Sequence, residues 1–291
     1  MTAPPADPSM ERLQTALKSM KSRKKTADAG TNKSNVFKRY VHLLNANDRD
    51  PRSDRHLGYL LSFVAGAVNA GGFLAIGQYT SHMSGIISSM ADNLALAEFI
   101  PVISALAAWL AFILGAASTA ILVNMAKRRQ LHSQFALSLL LESGLLLLFG
   151  LAGANLAEMR EFLAPMTVLL LCFIMGLQNA LITKVSGAII RTTHMTGVST
   201  DLGIEIGKLF YFNRRTIPNM AVRANREKLL LHFLLLMYFF TGGLIGALGF
   251  KHIGYSATII FSALLALLVT GPIFMDVRLR IQALRKSRMN G

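Results

Sequence analysis

Six apolar runs, each of about the 20 residues needed to cross a bilayer, dominate this chain of 291 residues. In hydrocarbon every backbone N–H and C=O must be bonded within the protein, so such runs cross as helices. Charged residues make up 15% of the chain, against about 25% in a soluble domain, and the mean hydropathy is +0.45. We therefore predict an all-α, polytopic membrane protein with six transmembrane helices. The predicted spans are Leu57–Gly77, Ile100–Met125, Gln134–Gly153, Phe162–Ile182, Leu229–Phe250 and Tyr255–Met275.

The net charge of +15 is concentrated beside the ends of these spans. Of the 30 lysines and arginines, 25 lie in four segments, which the positive-inside rule places in the cytoplasm together with both termini. Topology and attraction to anionic lipid at the cytoplasmic face explain the charge, so we expect no nucleic-acid partner. The four segments are 1–56, Lys127–Arg129, Arg214–Lys228 and Arg278–Arg288.

Two sequence patterns occur twice, in the same order. Phe63-x-x-Gly66-x-x-Asn69-Ala70 recurs 110 residues later, beginning at Phe173. The first motif, His82-Met-Ser-Gly-Ile at residues 82–86, recurs 112 residues later as the second motif, His194-Met-Thr-Gly-Val at residues 194–198. We interpret the chain as a duplication in which each half crosses three times. Because three is odd, the halves are inverted, which is a common plan of transporters.

This duplication predicts the domain organisation. Residues 1–56 form a basic cytoplasmic tail, partly disordered, in which 35–44 is either a short interfacial helix or a partly ordered segment. Residues 57–153 are the first membrane repeat and 162–275 the second. Residues 276–291 form a basic C-terminal tail. No apolar stretch opens the chain, so we expect the first span to act as the targeting signal.

The segments 81–98 and 193–212 contain too many ionisable residues to be ordinary spans. Each begins with hydroxyl residues and glycine and then becomes compatible with a helix, which predicts a re-entrant half-helix with a Ser or Thr cap. One enters from each side of the membrane. A helix N-terminus at membrane depth can hold an anionic or polar solute group. The alternative is that both segments are packed loops or interfacial helices that fill space.

We expect a solute site where the halves meet, built from equivalent residues of the two repeats. The alternatives are a helix–helix hydrogen bond for each asparagine and a bond to its own loop for each histidine. The His-Met pairs could offer nitrogen and sulfur to Cu(I), but adjacent residues point apart, so we predict no metal and no cofactor. The candidate substrate-binding residues are Asn69, His82, Ser84, Gly85, Asn179, His194, Thr196 and Gly197.

Glu142 lies within the third span and has no carboxylate counterpart in the sixth. It is a candidate proton-coupling acid, or it is protonated and hydrogen-bonded, or it pairs with His232. In the fifth span, glycines at 242, 243, 246 and 249 predict a close packing face. Recognisable catalytic motifs are absent from the sequence, so we predict that the protein is not an enzyme.

The run Gly66–Phe73 leading to the first motif resembles the first half of the bacterial YoaK-like family, a domain of unknown function numbered 1275. Thr193–Gly203 resembles its second half. The resemblance covers about residues 57–275 and implies a bacterial inner-membrane protein of unassigned function. The family commonly has an acid where Asn69 stands and an Asn where Ile86 stands, so we expect no ion coupling through Asn69.

Together these features favour a transporter of a small, unidentified solute in the bacterial inner membrane. A channel built on the paired half-helices is an alternative, and so is a membrane scaffold or sensor that signals through the basic N-terminal tail. The expected partners are membrane lipids and the solute, and the sequence is compatible with a homo-oligomer.

Overall fold

The computed structural model describes residues 51–131, 133–153, 160–211 and 222–289, and this part of the chain is all-α. The predicted tail segment 35–44 lies outside the described residues. A 3-10 turn, Gly254–Ser256, separates the last two helices. The helices are α1 Pro51–Ile76, α2 Met83–Ala95, α3 Phe99–Arg128, α4 Ala136–Gly153, α5 Arg160–Val185, α6 Met195–Phe210, α7 Arg226–Ile253 and α8 Ala257–Met289.

Four helical segments are long and apolar enough to cross a membrane, which makes the chain a multi-pass membrane protein. The last segment includes α7, the 3-10 turn and much of α8, while α4 supplies a shorter apolar helix, Ala136–Leu151. The predicted count of six crossings requires α4 to cross and the last segment to cross twice. α8 also continues to Met289, so the segment predicted as a C-terminal tail extends a helix. The four segments are Asp54–Leu74, Phe99–Arg128, Ala164–Val185 and Arg226–Arg278.

The backbones of α1 and α7 lie in direct contact through glycine. A Cβ on Gly242 would overlap the carbonyl of Phe63, and one on Gly66 would overlap the carbonyl of Phe239. Gly246 lies as closely against Ala67. The predicted packing face of the fifth span is confirmed at these positions, because any side chain there would separate the helices.

The same contact occurs between α3 and α5. A Cβ on Gly115 would overlap the carbonyl of Phe173, and one on Gly176 would overlap the carbonyl of Phe112. Phe173 and Gly176 are the repeat equivalents of Phe63 and Gly66. The Phe-x-x-Gly pattern therefore packs in the same way twice, on α1 against α7 and on α5 against α3.

Hydrogen bonds also join the first and second halves of the chain in the core. The hydroxyl of Ser143 on α4 donates to the carbonyl of Ser262 on α8 at 2.9 Å, and the hydroxyl of Ser262 donates back to the carbonyl of Ser143 at 2.7 Å. The Nε2 of Gln178 on α5 donates to the carbonyl of Leu61 on α1 at 3.1 Å. Each bond satisfies a buried group that would otherwise be costly.

Candidate functional site

The first motif begins a short helix, as the sequence predicts, but its cap differs. α2 starts at Met83 with His82 as the N-cap residue, and the imidazole makes no capping hydrogen bond. The predicted Ser or Thr cap is therefore wrong. Ser84 lies in the first turn, and the hydroxyl of Ser81 is already engaged, since its Oγ and N donate to Asn69 Oδ1 at 2.8 and 3.2 Å.

The second motif repeats this arrangement at α6, where His194 is the N-cap residue without a side-chain cap bond. The hydroxyl of Thr193 donates to Asn179 Oδ1 at 2.6 Å, and Asn179 Nδ2 donates to the carbonyl of Met175 at 2.8 Å. Burial, and then the positive charge of Arg191, lower the pKa of His194. Both asparagines thus fix the residue that precedes the motif histidine.

A first pocket of about 850 Å³ lies between α2, α3 and α5. His82 and Gly85 line it from the predicted set, beside Ile86 and Ser89. The described residues of its lining include no Asp, Glu, Lys or Arg, so their polar contacts come from neutral side chains and the imidazole of His82. The other lining residues are Gln78, Tyr79 and Gly77 before α2, Pro101, Ile103, Ser104, Ala105 and Ala107 on α3, and Ala164, Pro165, Val168 and Leu169 on α5.

A second pocket of about 430 Å³ lies where α6 meets α7 and the loop before α6. Thr196 and Gly197 line it from the predicted set. Three ionisable side chains also line it: Arg191, Asp201 and His232, with His232 Nε2 lying 3.8 Å from Asp201 Oδ2. The other lining residues are Ala188, Ile189, Val198, Thr200 and Leu235.

The two pockets use equivalent positions but do not merge. Gly85 and Ile86 line the first, and their repeat equivalents Gly197 and Val198 line the second. Neither pocket is lined by residues of both motifs, and Asn69, Ser84, Asn179 and His194 line neither. Of the eight predicted residues, four reach a pocket and the two asparagines hold the chain in place.

The glycines of the two motifs stand in different surroundings. A Cβ on Gly85 would lie 2.6 Å from His82 Nδ1, so the imidazole lies over this glycine. A Cβ on Gly197 would meet nothing within 4 Å. The first helix N-terminus is therefore covered by its own histidine, and the second is open toward its pocket.

The far end of α6 is tied to α7 by charge. Glu205 accepts hydrogen bonds from Lys208 Nζ at 2.8 Å and from the N–H of Asn225 at 2.7 Å. These bonds, with that of Lys208 the larger cause, lower the pKa of Glu205. Asn225 Oδ1 in turn caps α7 by accepting from the N–H groups of Glu227 and Lys228.

Glu142 lies apart from both pockets. Its side chain is fully buried on α4, and neither carboxyl oxygen has a hydrogen-bond partner. The predicted alternative of a pair with His232 is wrong, because His232 faces Asp201 on α6 while α4 packs mainly against α8.

Within the described ranges, no group of three or more His, Cys, Asp or Glu side chains is placed to hold a metal ion. Arg191, Asp201 and His232 were not predicted as site residues. The one signal in the sequence was their ionisable character in or beside apolar segments, and it did not indicate which of them share a pocket.

Long apolar helices, glycine-mediated packing and two short polar helices define the class of the protein as a multi-pass α-helical membrane protein. The chain belongs to the family described as "Protein of unknown function (DUF1275)", whose model matches residues 57–271. The family resemblance of the motifs is thereby confirmed. No curated protein matches the chain, and no solved structure does.

Proposed function

We propose that this protein is a transporter that moves a small polar solute across the bacterial inner membrane by alternating access, and that it is not an enzyme. The observation that carries the proposal is the pair of pockets built on equivalent residues. Gly85 and Ile86 line one, and Gly197 and Val198 line the other. A solute would meet the same motif positions in both pockets, beside Gln78 and Tyr79 in the first and beside Arg191 and Asp201 in the second.

The proposed architecture is an inverted three-plus-three repeat in which α1 to α4 correspond to α5 to α8. Matching contacts support it: α1 packs on α7 and α3 on α5 through the same glycine contacts. The motif helix α2 packs on α3, as α6 packs on α7. The reciprocal bonds of Ser143 and Ser262 are what an in-plane pseudo-twofold axis between α4 and α8 would produce.

Charge supports an assignment of the pockets to opposite sides of the membrane. The segment 78–99, which begins at the first pocket, contains no lysine or arginine. The second pocket includes Arg191 and precedes the basic segment 214–228. Under the positive-inside rule the first pocket opens outward and the second inward. The same basic segments would bind anionic lipid at the inner leaflet.

A channel is the weaker candidate, because it needs one continuous pore. The two pockets share no lining residue. Fully buried side chains such as Leu61 and Ile174 fill the core cluster to which α1 and α5 both contribute. Exchange of access between two separate pockets therefore fits this packing better than steady conduction. A scaffold or sensor role would act through the N-terminal tail, outside the described residues.

The experiment compares two glycine variants of α6. Gly197 and Gly203 both leave open space for a Cβ, so Gly197→Ala and Gly203→Ala should both fold, but only Gly197 lines the second pocket. A thermal-shift screen of the purified wild type against metabolite classes first identifies a stabilising solute. Uptake of that solute into proteoliposomes should then fall at least tenfold in Gly197→Ala and stay unchanged in Gly203→Ala. Equal uptake in all three proteins would remove the second pocket from the transport path.

A further inference from the structure

Glu142 presents an acid that the pockets do not use. Its side chain is 0% exposed, and both of its oxygens lack a partner. Leu139 and Leu146, on the same face of α4, are also fully buried. An ionised carboxylate without a donor or a counter-ion is strongly disfavoured in such surroundings.

The helices around α4 supply no compensating charge. α3 has no Asp, Glu, Lys, Arg or His over residues 99–126, α5 has none over 164–183, and α8 has none over 257–275. Within these ranges and the 3-10 turn, the other titratable groups are Cys172 on α5 and Tyr255, which stacks edge-on against Phe149. Neither is a cation, so the charge of Glu142 must be removed at the carboxyl itself.

Unused oxygen acceptors lie on the same helices. Ser138 is one helical turn before Glu142 on the same face, is fully buried, and its hydroxyl has no partner. Other helical serines here, such as Ser104 and Ser118, donate to the carbonyl four residues earlier. On α5, Gln178 uses its Nε2 but leaves its buried Oε1 without a donor. Neither group bonds to Glu142, so no hydrogen bond stabilises an ionised carboxyl there.

We infer that Glu142 is an internal proton-binding site, in which one proton bound to the carboxyl neutralises it. Release of the proton leaves a carboxylate that this packing does not tolerate, so release requires the core to open. Coupling of that opening to solute movement rests on the proposed transport, whereas the proton site itself rests on burial and missing partners. Proton binding would then select between the two accessible states of the transporter.

Infrared spectroscopy of the purified full-length protein tests the site with the proton as the probe, as the pH is raised from about 5 to about 9. The wild type should show a protonated-carboxyl band at neutral pH that disappears at alkaline pH. Glu142→Gln should lose this band completely. Glu98→Gln, which removes an exposed carboxyl, should keep it. Ser138→Ala, which removes a hydroxyl that makes no hydrogen bond, should keep the band.

Absence of the band from the wild type at neutral pH overturns the proposal, even if Glu142→Gln does not fold. A band that persists in folded Glu142→Gln overturns it as well. Sodium binding is tested separately. If the wild type lacks the band and NaCl, but not KCl, raises its thermal stability, the site binds Na⁺ instead of a proton. Failure to find transport leaves the infrared result unchanged, so the two proposals fail independently.

Discussion

The two motif helices share a sequence pattern but are held by different forces. α2 passes to α3 through three residues, Leu96–Glu98, and its N-terminus is covered by the imidazole of His82. α6 is followed by a longer connection to α7, its N-terminus is open, and Glu205 ties its far end to α7. α2 is fixed by a short turn, whereas α6 is held by the hydrogen bond from the backbone at the start of α7 to the Glu205 carboxylate. The difference suggests that the second pocket is the one whose shape responds to pH and salt.

Among substitutions that test this difference between α2 and α6, a change at Glu205 should lower stability the most. Glu205→Gln removes the ion pair with Lys208 within α6 and weakens the bond to the N–H of Asn225, which joins α6 to α7, so stability should fall. The folded pKa lies below the ordinary value of 4.5. The stabilisation is therefore complete above about pH 4.5 and is lost as the pH falls through the folded pKa.

Thermal unfolding in detergent at several pH values measures this effect. Asp92→Asn, an exposed carboxyl on α2, is the matched control and should leave the acid dependence unchanged. If Glu205→Gln has the acid profile of the wild type, charge does not hold α6 against α7.

Asn69→Ala and Asn179→Ala should destabilise by about 1–3 kcal/mol each, since each leaves buried groups without a partner. Asn69 accepts two bonds from Ser81, whereas Asn179 accepts from Thr193 and donates to Met175. Denaturant unfolding gives both free energies. Ser81→Ala and Thr193→Ala should reproduce part of each loss, and a loss at only one asparagine would mean that the two anchors are not equivalent.

Gly85→Ala and Gly197→Ala should change stability in opposite directions. A Cβ on Gly85 meets the His82 ring, so this variant should lose about 1 kcal/mol, whereas Gly197→Ala should gain about 0.5–1 kcal/mol from helix propensity. Adding His82→Ala should restore Gly85→Ala, and a double-mutant cycle measures this coupling. Additive effects would contradict a ring lying over the glycine.

The smallest effect is expected at the turn after α2. Ala97 has a φ of +59°, a conformation that costs a residue with a side chain about 1 kcal/mol. Ala97→Gly should remove this cost, but glycine also raises the entropy of the unfolded chain, which cancels part of the gain. The net result should be an increase in the free energy of unfolding of about 0.5 kcal/mol. Calorimetry can detect this shift, with Ala91→Gly inside α2 expected to destabilise instead. No gain at Ala97 would mean that the short turn is not strained.

The positions of the helices follow from hydropathy, because burial of backbone groups in hydrocarbon leaves few alternatives. The packing face at Gly242 and Gly246 follows equally well, since small-residue spacing has one physical use in a membrane helix. The caps and pockets do not follow. His82 and not a hydroxyl residue occupies the N-cap of α2 because Ser81 bonds to Asn69. His232 meets Asp201 instead of Glu142 because α7 lies beside α6. Both features depend on contacts between different helices, which the residue pattern of a single helix does not reveal.

The crossed pairing of helices sets the order in which the protein can be completed. α1 packs mainly against α7, and the hydroxyl of Ser62 bonds to a carbonyl 173 residues further along the chain. At a synthesis rate of about 5–20 residues per second, the partner of α1 emerges some 10–35 seconds later. During that time the glycine faces of the first half meet only lipid or the insertion machinery. The two halves therefore become a folded unit only after translation of the second is nearly finished.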